Sequence, residues 1–159
     1  PDDTVKYFYE SFKAKDIKGM LEMYDPNVVF KDPVFGRLKG EKACNMWRML
    51  LSEKESNLKM SYKIIETAGN QVKVHWAASY KFGQKKRKIV NHVSSYLTVK
   101  KGKIIKHKDV FKLWKWSGQA LGFPGYALGW TSFMKNKIQE RANKRLKLFT
   151  EKLNCMFKN

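Results

Sequence analysis

The sequence has few cysteines, few acidic residues and no uninterrupted apolar stretch, and each shortage excludes a class of protein. Its two cysteines, Cys44 and Cys155, are too few for a disulfide framework and lack the spacing of a metal site. An uncharged stretch, residues 117–134, is interrupted by four glycines and a proline, which argues against a membrane-spanning helix. No basic and apolar leader opens the chain, so we expect a reducing, cytoplasmic environment.

Acidic residues number only 14 against 33 lysines and arginines, which gives a net charge of +19. A hydrophobic content of 43% with 14% aromatic residues excludes a disordered basic tail. Three interpretations of the charge stay open: a solvated surface that steers an anionic ligand, docking on an anionic membrane surface, or contact with nucleic-acid phosphates. Nucleic acid is the least favoured partner, because the aromatic residues sit at core spacing and no nucleic-acid fold signature is present.

The first quarter of the chain has the periodicity of amphipathic helices. Apolar residues recur at three- and four-residue spacing between residues 5 and 12 and again between residues 17 and 24. Asp16 is expected to cap the second of these helices, and Pro26 to stop the chain from continuing it. A short β-prone run follows at residues 28–30, and a third helix is predicted from about Glu41.

The middle of the chain has the pattern of an antiparallel sheet. Between residues 71 and 82 apolar and polar residues alternate, which predicts a strand with one buried and one wetter face. Glycine-containing turns divide the region into four predicted strands at residues 58–66, 71–82, 88–99 and 103–116. Helices followed by a meander predict an α+β domain, in which the helices pack on one face of a curved sheet.

The last segment combines the uncharged residues 117–134 with a basic amphipathic helix, whose apolar stripe runs from Met134 to Phe157. We therefore predict one α+β domain over residues 1–116 and a C-terminal extension over residues 117–159, packed on the same domain. Within the extension, residues 121–133 could form a lid, a homodimer seam or a membrane-inserting segment.

Two segments resemble the ketosteroid isomerase and SnoaL-like group of the nuclear-transport-factor-2-like superfamily. They are residues 24–36 (YDPNVVFKDPVFG) and residues 102–111 (GKIIKHKDVF), which occur in the family's order with the expected elements between them. The resemblance covers about the first 116 residues. It implies a cone-shaped, curved antiparallel sheet wrapped around the N-terminal helices, a cystatin-like α+β barrel, with a deep apolar pocket.

The resemblance also implies roles for individual residues. Asp32 takes the place of the isomerase's general base, Trp47 falls on an aromatic wall, and Asp109 and Phe111 point inward from the last strand. The sequence departs from the isomerase at Phe8, which stands where the oxyanion-binding tyrosine is expected. The strand over residues 88–99 has no acidic residue for the second oxyanion donor. These departures argue against steroid isomerisation by the known constellation.

Two carboxylates in one apolar cavity would raise at least one pKa and form an acid/base pair suited to neutral pH. The alternative is that Asp32 is only the polar residue of a turn before Pro33, while Asp109 pairs with a lysine. His92 and His107 could be proton shuttles or simply hydrogen-bonded strand histidines.

We therefore predict a domain that binds a small hydrophobic or polycyclic molecule, with neither cofactor nor metal. As an enzyme it would be an isomerase, cyclase or hydrolase with Asp32 as general base and Asp109 as partner acid, assisted by His107 or His92. The predicted pocket walls are aromatic side chains: Phe8, Phe12, Tyr24, Phe35, Trp47 and Phe111. A non-catalytic lipid- or metabolite-binding module and a membrane-surface adaptor that uses the basic helix are the alternatives.

Overall fold

A computed structural model describes residues 1–53, 57–122 and 131–158. Its helices are α1 Asp2–Lys13, α2 Ile17–Glu22, α3 Glu41–Ser52, α4 Leu113–Leu121 and α5 Ser132–Phe157. Its strands are β1 Tyr24–Asp32, β2 Gly36–Lys39, β3 Lys59–Ala68, β4 Gln71–Phe82, β5 Arg87–Lys100 and β6 Lys103–Val110.

The six strands form one curved, unclosed sheet in the order β2-β1-β6-β5-β4-β3. Neighbouring strands are antiparallel except β1 and β6, which run parallel with Phe30 opposite His107. The predicted meander is therefore confirmed for β3 to β6, and β1 adds a parallel pair. Pro26 lies inside β1 and not between α2 and β1. The strand tolerates it because the pairing of β1 with β6 shifts register between Tyr24 and Val29, where a residue with no N–H to donate is accommodated.

The concave face of the sheet carries the core. In β4 the side chains of Val72, Val74, Trp76 and Ala78 are buried, while the exposed His75 faces the other way. This alternation confirms the predicted buried face of the strand. Helices α1 and α3 pack over that face, so the predicted α+β architecture is confirmed.

Local sequence signals position the helices that cover the sheet. The Asp16 carboxylate accepts a hydrogen bond from the N–H of Gly19 at 3.1 Å, which confirms the predicted cap of α2. Helix α3 begins at Glu41, as expected. It follows Gly40, whose φ of 59° and whose Cβ position 2.9 Å from the Pro26 carbonyl both require glycine.

The end of the sheet differs from the sequence prediction. Strand β6 ends at Val110, and the residues predicted to continue it as far as Trp116 begin α4 instead. The buried residues of α4 include Trp116 and Ala120, one helical turn apart, so its alternating tryptophans were misread as a strand pattern. Helix α4 also runs across the proposed boundary after residue 116.

Helix α5 packs along the turn between β1 and β2 and along α3. Its Gln139 donates to the Pro33 carbonyl at 3.1 Å, and its Asn143 donates to the Phe35 carbonyl at 2.9 Å. Only the middle of the predicted apolar stripe is buried, since Phe157 at the end of α5 is 85% exposed. The predicted lid, dimer seam or membrane contact falls largely on residues 123–130, which lie outside the described residues. No described helix combines the length and the apolar character needed to cross a membrane.

Candidate functional site

A cavity of about 650 Å³ lies between the concave face of the sheet and helices α3, α4 and α5. Most of its wall is aromatic or aliphatic, including Phe12, Phe35, Trp47 and Phe111 of the predicted walls. The polar and charged side chains that line it are few: Asp32, Glu53, Tyr80, Asn91, Asp109, Lys137, Arg141 and Arg145. A large apolar space with a few convergent polar groups is the usual form of a small-molecule site.

Asp32 lies at the end of β1, on the cavity wall, and its side chain is half-buried. Its carboxylate accepts a hydrogen bond from the backbone N–H of Phe35 at 2.6 Å. Burial raises the pKa of Asp32 from 3.8 to about 7, a change that the N–H of Phe35 opposes and the nearby charge of Asp109 reinforces. The sequence left open whether Asp32 is a turn residue or a cavity residue. Its side chain accepts the hydrogen bond of the turn and also lines the cavity.

Asp109 projects from β6 into the cavity wall and is 4% exposed. Its Oδ1 atom is 2.8 Å from His107 Nε2 and also accepts the hydroxyl of Ser95. The partners of Asp109 are therefore a histidine and a serine, and none of the lysines that the structure describes pairs with it, as the alternative had proposed. Its Oδ2 atom accepts no hydrogen bond from any residue that the structure describes.

His107 belongs to a buried hydrogen-bonded chain behind Asp109. The indole of Trp47 donates to the Tyr24 hydroxyl at 2.9 Å, and that hydroxyl is 2.8 Å from His107 Nδ1. The indole N–H only donates, so the Tyr24 oxygen accepts it; in the tautomer with a proton on Nε2, the hydroxyl donates to Nδ1 and Nε2–H donates to Asp109. His107 thus orients Asp109 from behind and does not itself line the cavity.

Phe8 and Tyr24 were predicted to be pocket walls, and the structure corrects both predictions. Phe8 is fully buried and stacks on Tyr24 with 5.3 Å between ring centroids, in the layer behind the cavity wall. Phe12, one helical turn further along α1, is the residue that reaches the cavity. Neither of the tyrosines that flank Phe8 lines the cavity, since Tyr7 is 48% exposed and Tyr9 is buried behind the cavity wall.

His92 lies on the convex face of the sheet, which corrects its prediction as a cavity acid. It is exposed and stacks on His75 with a centroid separation of 5.9 Å. Side chains alternate along β5, so Asn91 and Ser95 face inward whereas His92 faces outward. Moving by one residue along the strand therefore takes a side chain from the concave to the convex face of the sheet.

Two polar residues of the cavity were missed from the sequence, Tyr80 and Asn91. The Tyr80 hydroxyl accepts the indole N–H of Trp116 at 2.8 Å, and its own proton has no acceptor among the described residues. Burial raises the pKa of Tyr80 to about 12, and the nearby charge of Asp32 contributes. Polar groups at inward positions of β4 and β5 were the signal that could have identified both residues.

The rim of the cavity carries cations from α5, a helix predicted as an amphipathic surface element. Lys137, Arg141 and Arg145 line the cavity, and Arg145 forms an ion pair with Glu53. Within residues 1–53, 57–122 and 131–158, no three His, Cys, Asp or Glu side chains are grouped in a way that could hold a metal ion.

Solved structures with the ketosteroid isomerase-like fold share this architecture. A protein with that fold from Catenulispora acidiphila, in complex with trimethylamine, is 14% identical with a TM-score of 0.64, over 80% of this chain and 96% of its own. A polyketide cyclase candidate from Silicibacter sp. is 14% identical with a TM-score of 0.63, over 75% and 93% of the two chains. The epoxide hydrolase/cyclase-like enzyme SalBIII of salinomycin formation is 16% identical with a TM-score of 0.61, over 69% and 88%.

The sequence model of the SnoaL-like domain matches residues 5–107, and the chain therefore belongs to the SnoaL-like family. No curated protein sequence is similar enough to count as a relative. At these identities the solved structures define the fold and leave the chemistry to be argued from the cavity. The family match includes Asp32 and ends before Asp109, α4 and α5.

Proposed function

We propose that this chain is a cofactor-independent isomerase or cyclase that binds a small hydrophobic molecule in the cavity and uses Asp32 to transfer a proton. The observation that carries the proposal is a carboxyl group with a pKa of about 7 on the wall of a mostly apolar cavity. Near neutral pH such a group is present in both protonation states, so it can take up a proton and return it. The cyclase and hydrolase/cyclase names of structural neighbours support the same class of reaction.

In the proposed step, the Asp32 carboxylate removes a proton from a ligand carbon beside a carbonyl group. The electrons of the broken C–H bond form a carbon–carbon double bond, and negative charge moves to the carbonyl oxygen. Asp32 then returns the proton to another carbon, or the enolate carbon attacks a second carbonyl and closes a ring, and the alkoxide formed from that carbonyl takes the proton from Asp32. The step balances without any oxidant or reductant.

Tyr80 and Asn91 are the proposed hydrogen-bond donors to that carbonyl oxygen. The Tyr80 hydroxyl has a free proton, and the indole of Trp116 holds its oxygen in place. Fixed donors in a cavity with little water stabilise the developing charge without reorganising. Since Phe8 cannot donate, these residues of the sheet would replace the oxyanion tyrosine that is missing from α1.

Asp109 is the proposed partner acid. His107 and Ser95 hold its Oδ1 atom, while Oδ2 is left for a polar atom of the ligand. A ligand hydroxyl or oxygen at Oδ2 would exchange a proton with this carboxyl group, as a cyclase or hydrolase step requires. His107 acts in this proposal as a positioning residue.

Deuterium exchange tests the proposal without knowledge of the natural substrate. The bicyclic ketone β-tetralone, incubated with the protein in D₂O, should exchange the protons beside its carbonyl faster than the buffer background. The rate should rise with pH through about 7 as Asp32 ionises. The Asp32→Asn variant should lose about 100-fold or more of the enzyme-dependent rate, the usual contribution of a general base.

Asp25→Asn is the matched control, because Asp25 also belongs to β1 and accepts a backbone N–H, from Asn27 at 2.8 Å, but does not line the cavity. Its exchange rate should equal that of the wild type. Exchange that is equally fast in the Asp32→Asn variant would contradict the assigned base. Binding of β-tetralone without any catalysed exchange would favour the non-catalytic binding module.

A further inference from the structure

The cavity has a basic wall that lies outside the family match. Lys137, Arg141 and Arg145 occur four residues apart on α5, so they share one face of the helix, and all three line the cavity. The family match ends at residue 107, whereas α5 begins at Ser132. This wall is therefore a feature of the extension, held in place by the hydrogen bonds from Gln139 and Asn143 to the turn after β1.

Two of these three cations have no acidic partner among the residues described. Arg145 forms an ion pair with Glu53. Arg141 makes no hydrogen bond or ion pair with any residue that the structure describes. The Lys137 ammonium lies 5.7 Å from the centroid of the Phe133 ring. Both side chains are exposed while they also line the cavity, which places them at its mouth.

The carboxylates and the cations of the cavity belong to different elements. Asp32 and Asp109 come from the sheet, whereas Lys137 and Arg141 come from α5. An ionised Asp32 repels a second anion, whereas Arg141 offers planar donors that match a carboxylate. A ligand with a carboxylate at one end would bind in one orientation only.

We propose that the cavity takes an amphipathic organic acid, whose carboxylate binds Lys137 and Arg141 at the mouth while its apolar body extends towards Asp32. The inference rests on the proposed function for the location of the site, and it adds the class of ligand. A cavity of about 650 Å³ has room for a polycyclic body with a short acidic side chain. A neutral molecule of the same shape would gain nothing from the two cations.

Fluorescence titration with pyrenebutyrate and with its neutral methyl ester tests the inference. At pH 8 and low salt, the wild-type chain should bind the acid about tenfold more tightly than the ester, as expected for two partly solvated charge-assisted contacts. The double variant Lys137→Gln/Arg141→Gln should lose that tenfold and bind both molecules equally. Added salt should weaken binding of the acid and leave the ester unaffected, because screening acts on the charge alone.

The double variant Lys135→Gln/Lys144→Gln is the matched control. It removes the same charge from exposed positions of α5 that do not line the cavity. Its preference for the acid should equal that of the wild type, and an equal loss there would show that only net charge matters and overturn the inference. Equal binding of acid and ester by the wild type would also overturn it and leave the proposed function intact. Failure of both molecules to bind would refute the ligand cavity, and the proposed function with it.

Discussion

Replacing Asp32 by asparagine should make the chain more stable at pH 8, although it removes the proposed base. The native carboxyl has a pKa raised by burial from 3.8 to about 7, so between these values the folded chain keeps a proton that the unfolded chain has released. Stability therefore falls as pH rises through this range, since protons are bound more tightly by the folded state. Asparagine carries no charge at any pH and avoids this cost. Its side-chain oxygen can still accept the N–H of Phe35.

The size of the effect follows from the pKa change. A rise from 3.8 to about 7, at about 1.36 kcal/mol per pH unit, corresponds to about 4 kcal/mol above pH 7. Water that enters the mouth of the cavity screens part of the charge, so we expect about 2 to 4 kcal/mol. Asp32→Asn and the wild type should thus be nearly equal in stability at pH 4 and diverge by this amount at pH 8.

Urea unfolding of both proteins between pH 4 and pH 8 measures this difference. Titrating groups remote from Asp32 contribute equally to the two proteins and cancel in the comparison, whereas the interaction of Asp32 with Asp109 is part of the measured difference. Asp25→Asn, whose carboxylate does not line the cavity, should show no pH-dependent gain. A difference between wild type and Asp32→Asn that stays within about 0.5 kcal/mol from pH 4 to pH 8 would refute the reasoning, because it would mean that Asp32 titrates normally.

Two further substitutions test the supports of the site. Tyr24→Phe should cost about 2 to 4 kcal/mol in urea unfolding, because it leaves the two buried nitrogen atoms on either side of the hydroxyl unpaired, whereas the exposed Tyr7→Phe should be neutral. An unchanged stability of Tyr24→Phe would argue against the hydrogen-bonded chain. Gln139→Ala with Asn143→Ala should cost about 2 kcal/mol and speed proteolysis of α5, unlike the exposed Asn136→Ala. Equal proteolysis of both variants would mean that these amides do not hold α5.

The sequence carried enough information for the sheet, but less for the direction of single side chains, and it left open whether Asp32 is a turn residue or a cavity residue. The two-residue alternation of β4 and the cap at Asp16 are local signals, and both were read correctly. His92 was misplaced because one residue of strand register separates the two faces of a sheet. The apolar Ile89, Val93 and Leu97 share the face of Asn91, so the alternation of β5 favours Asn91 as the inward residue.

Long-range pairings were harder to predict, since they depend on which elements meet. Nothing local to His107 indicates that its ring lies between Tyr24 and Asp109, residues that come from two strands paired in parallel. The role of α5 was missed for the same reason. A basic amphipathic helix has the same pattern whether it faces solvent, a membrane or a ligand cavity, and only its docking on the turn after β1 distinguishes these cases.

The net charge of the chain is +19, but its individual cations contribute unequally to ligand binding. Surface lysines that are surrounded by water and salt contribute little to the binding of any one ligand, because screening limits their reach to about 10 Å at 0.1 M salt. Lys137 and Arg141 differ because they border an apolar space, where a bound anion has fewer waters to compete for it. The proposed chemistry depends on residues of the sheet, and the proposed selectivity depends on the extension. Substitutions of Lys137 and Arg141, which are exposed at the mouth, should therefore change which molecule binds and leave the burial that raises the pKa of Asp32 in place.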